Sequence, residues 1–177
     1  MARSASEDDR ELQVVRAAGS FESMFHREFP RMVAVAYAIT GSRWAAEELA
    51  QEACLRAYRS WSSVSGYDKP GAWLRRVTIN LANSFLQRRV SELRALEGYA
   101  LNGLEPLADH PLEDREFWDE VTSLPRRQRE VIVLRYVDDL SPSEIAEVLD
   151  ISESSVRTHL QRGRELLARR IDTGGPS

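Results

Sequence analysis

The 177-residue sequence is poor in several things, and each shortage closes off a class of explanation. It has one cysteine, Cys54. A lone thiol cannot form an internal disulfide, and a thiolate zinc cluster within the chain is not expected either. Cys54 falls in a helical pattern, which suits a small core or near-surface residue. Long apolar runs are missing: the longest stretches, such as 32–39, fall far short of the roughly 20 residues a membrane-spanning helix needs. Residues 1–11 are acidic and hold no apolar signal core. A cytoplasmic chain without membrane insertion is therefore expected. Positive charge is not in excess, since 24 Lys and Arg stand against 28 Asp and Glu for a net charge of −4. That balance argues against a polycation that coats nucleic acid by neutralising phosphates. Catalytic hardware is also scarce. His26, His110 and His159 fall in separate segments, with no HExxH, no paired-carboxylate context and no Gly-rich phosphate loop. The expectation is a chain that is not an enzyme and that needs no metal or cofactor.

What is present is an ordinary globular composition, 42% hydrophobic and 29% charged, at a length that accommodates two small domains. The charge is unevenly spread. Arg75, Arg76, Arg88, Arg89 and Arg94 form one basic group and the arginines of 157–170 another, while 105–120 between them is rich in carboxylates. Apolar residues recur at helical spacing over 21–90, with breaks at Gly41-Ser42 and at 62–71, which gives three or four helices. Periodicity fades over 91–114, where Gly98, Gly103, Pro106 and Pro111 accumulate, and returns over 112–171. No segment keeps strand alternation. The fold class is thus all-α: a polar, frayed segment 1–19, a helical domain 20–94, a flexible acidic linker 95–112, a helical domain 113–171 and a polar tail 172–177.

The most specific pattern, LSPSEIAEVLDISESSVRTHLQRGREL, begins at Leu140 and has the spacing of a helix-turn-helix. Ser141 is placed to cap a helix, with Pro142 in its first position and Glu144 at its third. Ile145, Ala146 and Leu149 form its inner face, and Asp150 takes the tight turn, where an acidic residue tolerates left-handed geometry. A second helix follows Ser152 with Val156, Leu160, Gly163 and Leu167 on one buried stripe. At about 100° per residue, Ser154, Thr158 and Gln161 lie opposite that stripe, with Arg157 and Arg162 on its flanks. Such side chains suit a major groove: Arg pairs with guanine, Gln with adenine, Ser or Thr with phosphates and base edges. Ser155, beside them, joins the candidate set. Upstream, 124–129 (LPRRQR) opens a helix with a basic start suited to phosphates. The bland alternative is a helical hairpin with a solvated arginine face.

The helix over 73–89 (WLRRVTINLANSFLQRR) has two apolar sides, Trp73, Leu74, Val77, Leu81 and Phe85 on one and Ile79, Ala82 and Leu86 on the other. Between them runs a polar stripe of Arg76, Asn80, Asn83 and Gln87. Amides held on so narrow a stripe can read base edges, although a solvated asparagine would look the same. The adjoining loop 62–70 offers Tyr67 as a platform for an unstacked base. In the helix 45–61, Leu49, Ala53, Ala57 and Trp61 form the core stripe, and Glu48, Gln51, Glu52 and Leu55 face away.

Taken in order, these segments resemble the extracytoplasmic-function sigma factors, over nearly the whole of 21–171. AEELAQEACLRAY resembles the family's helix that docks on the clamp of the polymerase largest subunit, KPGAWLRRVTINLANSFLQRR its minus-ten helix, and 124–167 its minus-thirty-five domain. The resemblance implies core RNA polymerase, through its clamp and flap, and promoter DNA as partners, and a separate anti-sigma factor as regulator. It implies that Glu48, Gln51 and Glu52, with Leu55, meet the clamp. Tyr67, Arg76, Asn80 and Asn83 would serve the minus-ten strand, and Ser154, Ser155, Arg157, Thr158, Gln161 and Arg162 the minus-thirty-five duplex. The acidic linker would thread the RNA exit region. Asn83-Ser84 departs from the family, many members of which carry an acidic residue followed by a more basic run there. A rival reading is a LuxR-type regulator, whose recognition helix ISESSVRTHL also resembles, and which binds duplex operators as a dimer without polymerase.

Overall fold

The computed structural model describes the backbone of residues 4–96 and 115–173, with side chains over 21–92 and 117–170. Among the described residues every regular element is a helix: α1 Ser4–Thr40, α2 Arg43–Arg59, α3 Trp61–Val64, α4 Pro70–Leu96, α5 Arg115–Thr122, α6 Arg126–Tyr136, α7 Pro142–Leu149 and α8 Glu153–Thr173. The breaks fall where the sequence put them. Gly41 ends α1 at a φ of 68°, a left-handed position that a side chain would strain, and its N–H donates to the Tyr37 carbonyl. Ser42 then caps α2, its hydroxyl accepting from the Ala45 N–H at 3.3 Å.

Two outcomes differ from the sequence reading. α1 starts at Ser4, so the segment expected to be frayed is helical. Residues 4–18 contain neither Gly nor Pro, and Glu7, Asp8 and Asp9 near the start suit the positive end of a helix dipole. At the other end α8 runs to Thr173, past the start of the expected tail. The linker 95–112 lies outside the described residues except for its first two positions, which continue α4.

α1, α2 and α4 pack on one another around Met32, Val35, Ile39, Ala46, Ala50, Ala53, Leu74 and Ile79. Alanines line α2 where it meets its neighbours, and Cys54 is buried among them. Burial pushes its thiol up to about 11. The second module packs α6, α7 and α8 around Ile132, Leu134, Ile145, Val148, Val156 and Leu167, with Val121 and Leu124 closing one end. The expected core stripe of α8 is buried as a whole, Val156, Leu160, Gly163 and Leu167 included. A Cβ on Gly163 would stand 2.9 Å from Ile132 Cγ1, so glycine is what lets α8 approach α6. On α4, Leu74, Ile79 and Ala82 are buried, but Trp73, Val77, Leu81 and Phe85 are only half-buried.

The modules are not held apart. α4 packs on α7, and α1 on α5 and α6. A flexible linker had suggested independent bodies; instead the two modules pack on each other, with polar contacts where α4 meets α6, α7 and Asp138.

Candidate functional site

The helix-turn-helix is built as its sequence implies. Ser141 caps α7, its hydroxyl accepting from the Glu144 N–H while the Glu144 carboxylate accepts from the Ser141 N–H at 2.8 Å. The side-chain hydrogen bond from Ser141, then its backbone one, holds the Glu144 carboxyl below its usual range. Asp150 takes the left-handed turn at φ 55°, ψ 51°, and its N–H donates to the Ala146 carbonyl. Ser152 caps the next helix, accepting from the Ser155 N–H at 3.1 Å. The caps fix both helix starts, and so fix which side chains of α8 face outward.

Ser154, Arg157, Thr158, Gln161 and Arg162 are all exposed, on the side opposite the buried stripe. Ser155 is half-buried and bonded to Ser152, nearer the turn than the open face. Three of the exposed groups rest on their own helix: Arg157 on Glu153, Thr158 on the Ser154 carbonyl at 3.0 Å, and Gln161 on Glu165 at 3.0 Å. These are solvent-facing contacts between neighbouring turns, weak enough to be exchanged for a ligand. Upstream, the basic start of α6 differs from expectation. Arg126 and Arg127 are partly exposed but lie against Glu130, at 2.8 and 2.9 Å. Arg129 is buried, donating to the Thr122 carbonyl at 2.7 Å and to Asn83 Oδ1 at 3.2 Å. Burial lowers its guanidinium pKa.

On α4 the polar stripe is divided. Asn80 is exposed at the mouth of a cleft of about 210 Å³ that Arg76, Arg127, Glu130 and Asp150 also line. Arg76 is half-buried, donating to the carbonyls of Val148 and Glu147 at 2.8 and 3.2 Å, so that it caps the C-terminal end of α7. Asn83 is buried, its Nδ2 donating to Glu130 Oε1 at 2.8 Å. The expectation that Asn83 faces outward is thus corrected in this conformation: its amide satisfies a carboxylate that has no access to water. Tyr67 is exposed in the loop before α4. Along α2, Glu48, Gln51 and Leu55 are exposed and Glu52 half-exposed, its carboxylate accepting from Arg56 at 2.7 Å. Trp44 and Tyr58 extend the apolar part of that outward surface.

Glu28, Arg75, Glu130 and Asp138 escaped the sequence reading as a group. The signals were faint: a glutamate abutting VIVL at 131–134, and a helix arginine one place off the polar stripe. Nothing local tells that partners 47 and 63 residues apart will meet. Among the described residues no group of three or more His, Cys, Asp or Glu could hold a metal ion, and no helix is long and apolar enough to cross a membrane.

Residues 24–92 match the Sigma-70 region 2 family and residues 114–167 the Sigma-70, region 4 family. The chain is 31% identical over 150 residues to the ECF RNA polymerase sigma factor SigW of Bacillus subtilis strain 168, covering 76% of this chain and 80% of that one. Its fold is similar to the sigma factor RpoE of Bartonella quintana, solved in complex with the anti-sigma factor NepR, at a TM-score of 0.69 and 20% identity over 88% of this chain and 98% of the other. It is also similar to CnrH, solved in complex with the cytosolic domain of CnrY, at 0.66 and 22% over 94% and 99%. The region 2 match accounts for the module that a LuxR-type regulator would lack, so that rival reading is not favoured. With a region 2 bundle and a region 4 helix-turn-helix in that order, the chain belongs to the extracytoplasmic-function sigma factors of the sigma-70 superfamily, alternative sigma factors that bind core RNA polymerase and direct transcription initiation.

Proposed function

We propose a division of labour by residue. α8 reads the minus-thirty-five duplex through Ser154, Arg157, Thr158, Gln161 and Arg162, with Ser155 at the edge of the contact. α4 reads the melted minus-ten strand through Asn80, assisted by Arg76, Asn83 and Tyr67. α2 meets the polymerase clamp through Glu48, Gln51, Glu52 and Leu55. The chain acts in the cytoplasm as a non-enzymatic subunit. The observation that carries this reading is the outward face of α8, five groove-compatible side chains exposed together on a helix whose opposite stripe is wholly buried. Duplex and strand readers on separate modules measure promoter spacing once core polymerase holds them at a fixed distance. Control by an anti-sigma protein is part of the proposal, supported by the partners named for the two similar structures.

Run-off transcription from a pooled promoter library, with purified chain and core polymerase, tests this. Core-dependent transcripts sharing two spaced motifs are expected. Footprinting of duplex DNA by the chain alone, without core binding, would sink it.

A further inference from the structure

Where α4 passes α5 and α6, a cavity of about 570 Å³ lies between them, room enough for a small organic molecule. Leu86 and Val90 supply its apolar wall, Asn83 and Thr122 neutral polar groups, and Arg126 and Arg129 positive charge. None of its described walls is a carboxylate. The charge is not neutralised close by either. Arg129 is buried, and its guanidinium reaches only neutral oxygens, the carbonyls of Thr122 and Leu124 through Nη1 and the Asn83 amide through Nη2. Its Nε has no hydrogen-bond partner among the described residues. Glu130, the neighbouring anion, is taken up elsewhere, its two oxygens accepting from Arg126, Arg127 and Asn83. A buried cation with no anion against it is costly, and the carbonyl end of α5 offsets it by only about half an elementary charge. Burial accordingly lowers the Arg129 pKa, and the charge of Glu130 only partly counters this.

We propose that this cavity binds a small amphipathic monoanion, an organic carboxylate with an apolar body. The carboxylate lies toward Arg126 and Arg129, and the apolar body covers Leu86 and Val90. One negative charge suffices, because one buried guanidinium lacks a counterion. A phosphate ester would bring more charge than that and leave the apolar wall uncovered. Arg129 Nε is out of reach of water, so its charge is weakly screened toward the cavity and attracts an anion without direct contact. Walls come from both modules, region 2 through α4 and region 4 through α5 and α6, so a bound molecule stabilises their packing by mass action. The proposal does not rest on the assignment of α4 to the minus-ten strand.

Isothermal titration calorimetry on the full chain is the test, with sodium octanoate as the probe and octanamide as its neutral counterpart of the same length. Octanoate should bind saturably, and octanamide about tenfold more weakly or worse. Val90→Asp, at an exposed position of α4, sets a negative charge on the apolar wall and should weaken octanoate by about tenfold or more. Arg129→Gln should do the same; if loss of that buried side chain prevents folding, Val90→Asp decides. Saturating octanoate should also raise the Tm of the wild-type chain and leave that of Val90→Asp unchanged. No binding of octanoate up to millimolar concentration, equal binding of octanoate and octanamide, or undiminished affinity in a Val90→Asp chain of wild-type helicity would each overturn the proposal. Binding that appears only after Glu105→Gln with Asp109→Asn neutralises part of the acidic linker would show that the chain fills the cavity itself, which overturns it as well.

Discussion

Gly163 and Ser141 show what single atoms contribute here. A methyl at Gly163 would press on Ile132 at the crossing of α6 and α8, where neither helix can retreat without disturbing a buried core. Gly163→Ala should therefore destabilise region 4 by about 1–3 kcal/mol despite alanine's better helix propensity, measured by urea unfolding. A gain in stability would show that the crossing has room to spare. Ser141→Ala removes the α7 cap and should cost about 1 kcal/mol. Because Ser141 holds the folded Glu144 carboxyl below its ordinary 4.5, that part of the cap is complete at neutral pH and is lost as pH falls through the lowered value. The gap between wild type and Ser141→Ala should accordingly narrow in acid. A gap independent of pH would mean that the Glu144 arm of the capping box contributes nothing.

At the scale of elements, each helix face has its own readout. Asn80→Ala should impair strand opening, seen as reduced permanganate reactivity, more than closed-complex binding; unchanged reactivity would remove α4 from strand reading. Arg157→Ala should weaken upstream duplex contact by about 1–3 kcal/mol, visible as a lost footprint at the minus-thirty-five element with core binding intact. Glu52→Lys reverses charge on the exposed side of α2 without touching the alanine-lined core, and should weaken core binding. Undiminished affinity in that variant would take α2 out of the interface. These faces were legible in the sequence because helical periodicity converts a buried stripe directly into an outward one. Asn83 and Arg129 were not, because their places on an amphipathic count look solvent-facing until another module arrives to cover them.

For the whole molecule, the packing of α4 on α7 and of α1 on α5 and α6 couples the two cores. Wild-type chain should unfold in one calorimetric transition, whereas Asp138→Lys should split it into two as each module melts at its own temperature. A single transition in both would place the coupling in the packing of α1 against α5 and α6 rather than in the charges.

The helices, their caps, the turn at Asp150 and the two module identities follow from local chemistry: periodicity, propensity and cap residues act over three or four positions, and a linear sequence displays them. The pairing of Arg75 with Asp138 and of Asn83 with Glu130 belongs to the tertiary structure. It depends on which charged groups come together when two cores dock, and hydrogen-bonding capacity written at one position carries no address for its partner 47 or 63 residues away. The sequence by itself determined what each module can touch; packing decided that, in this conformation, they touch each other.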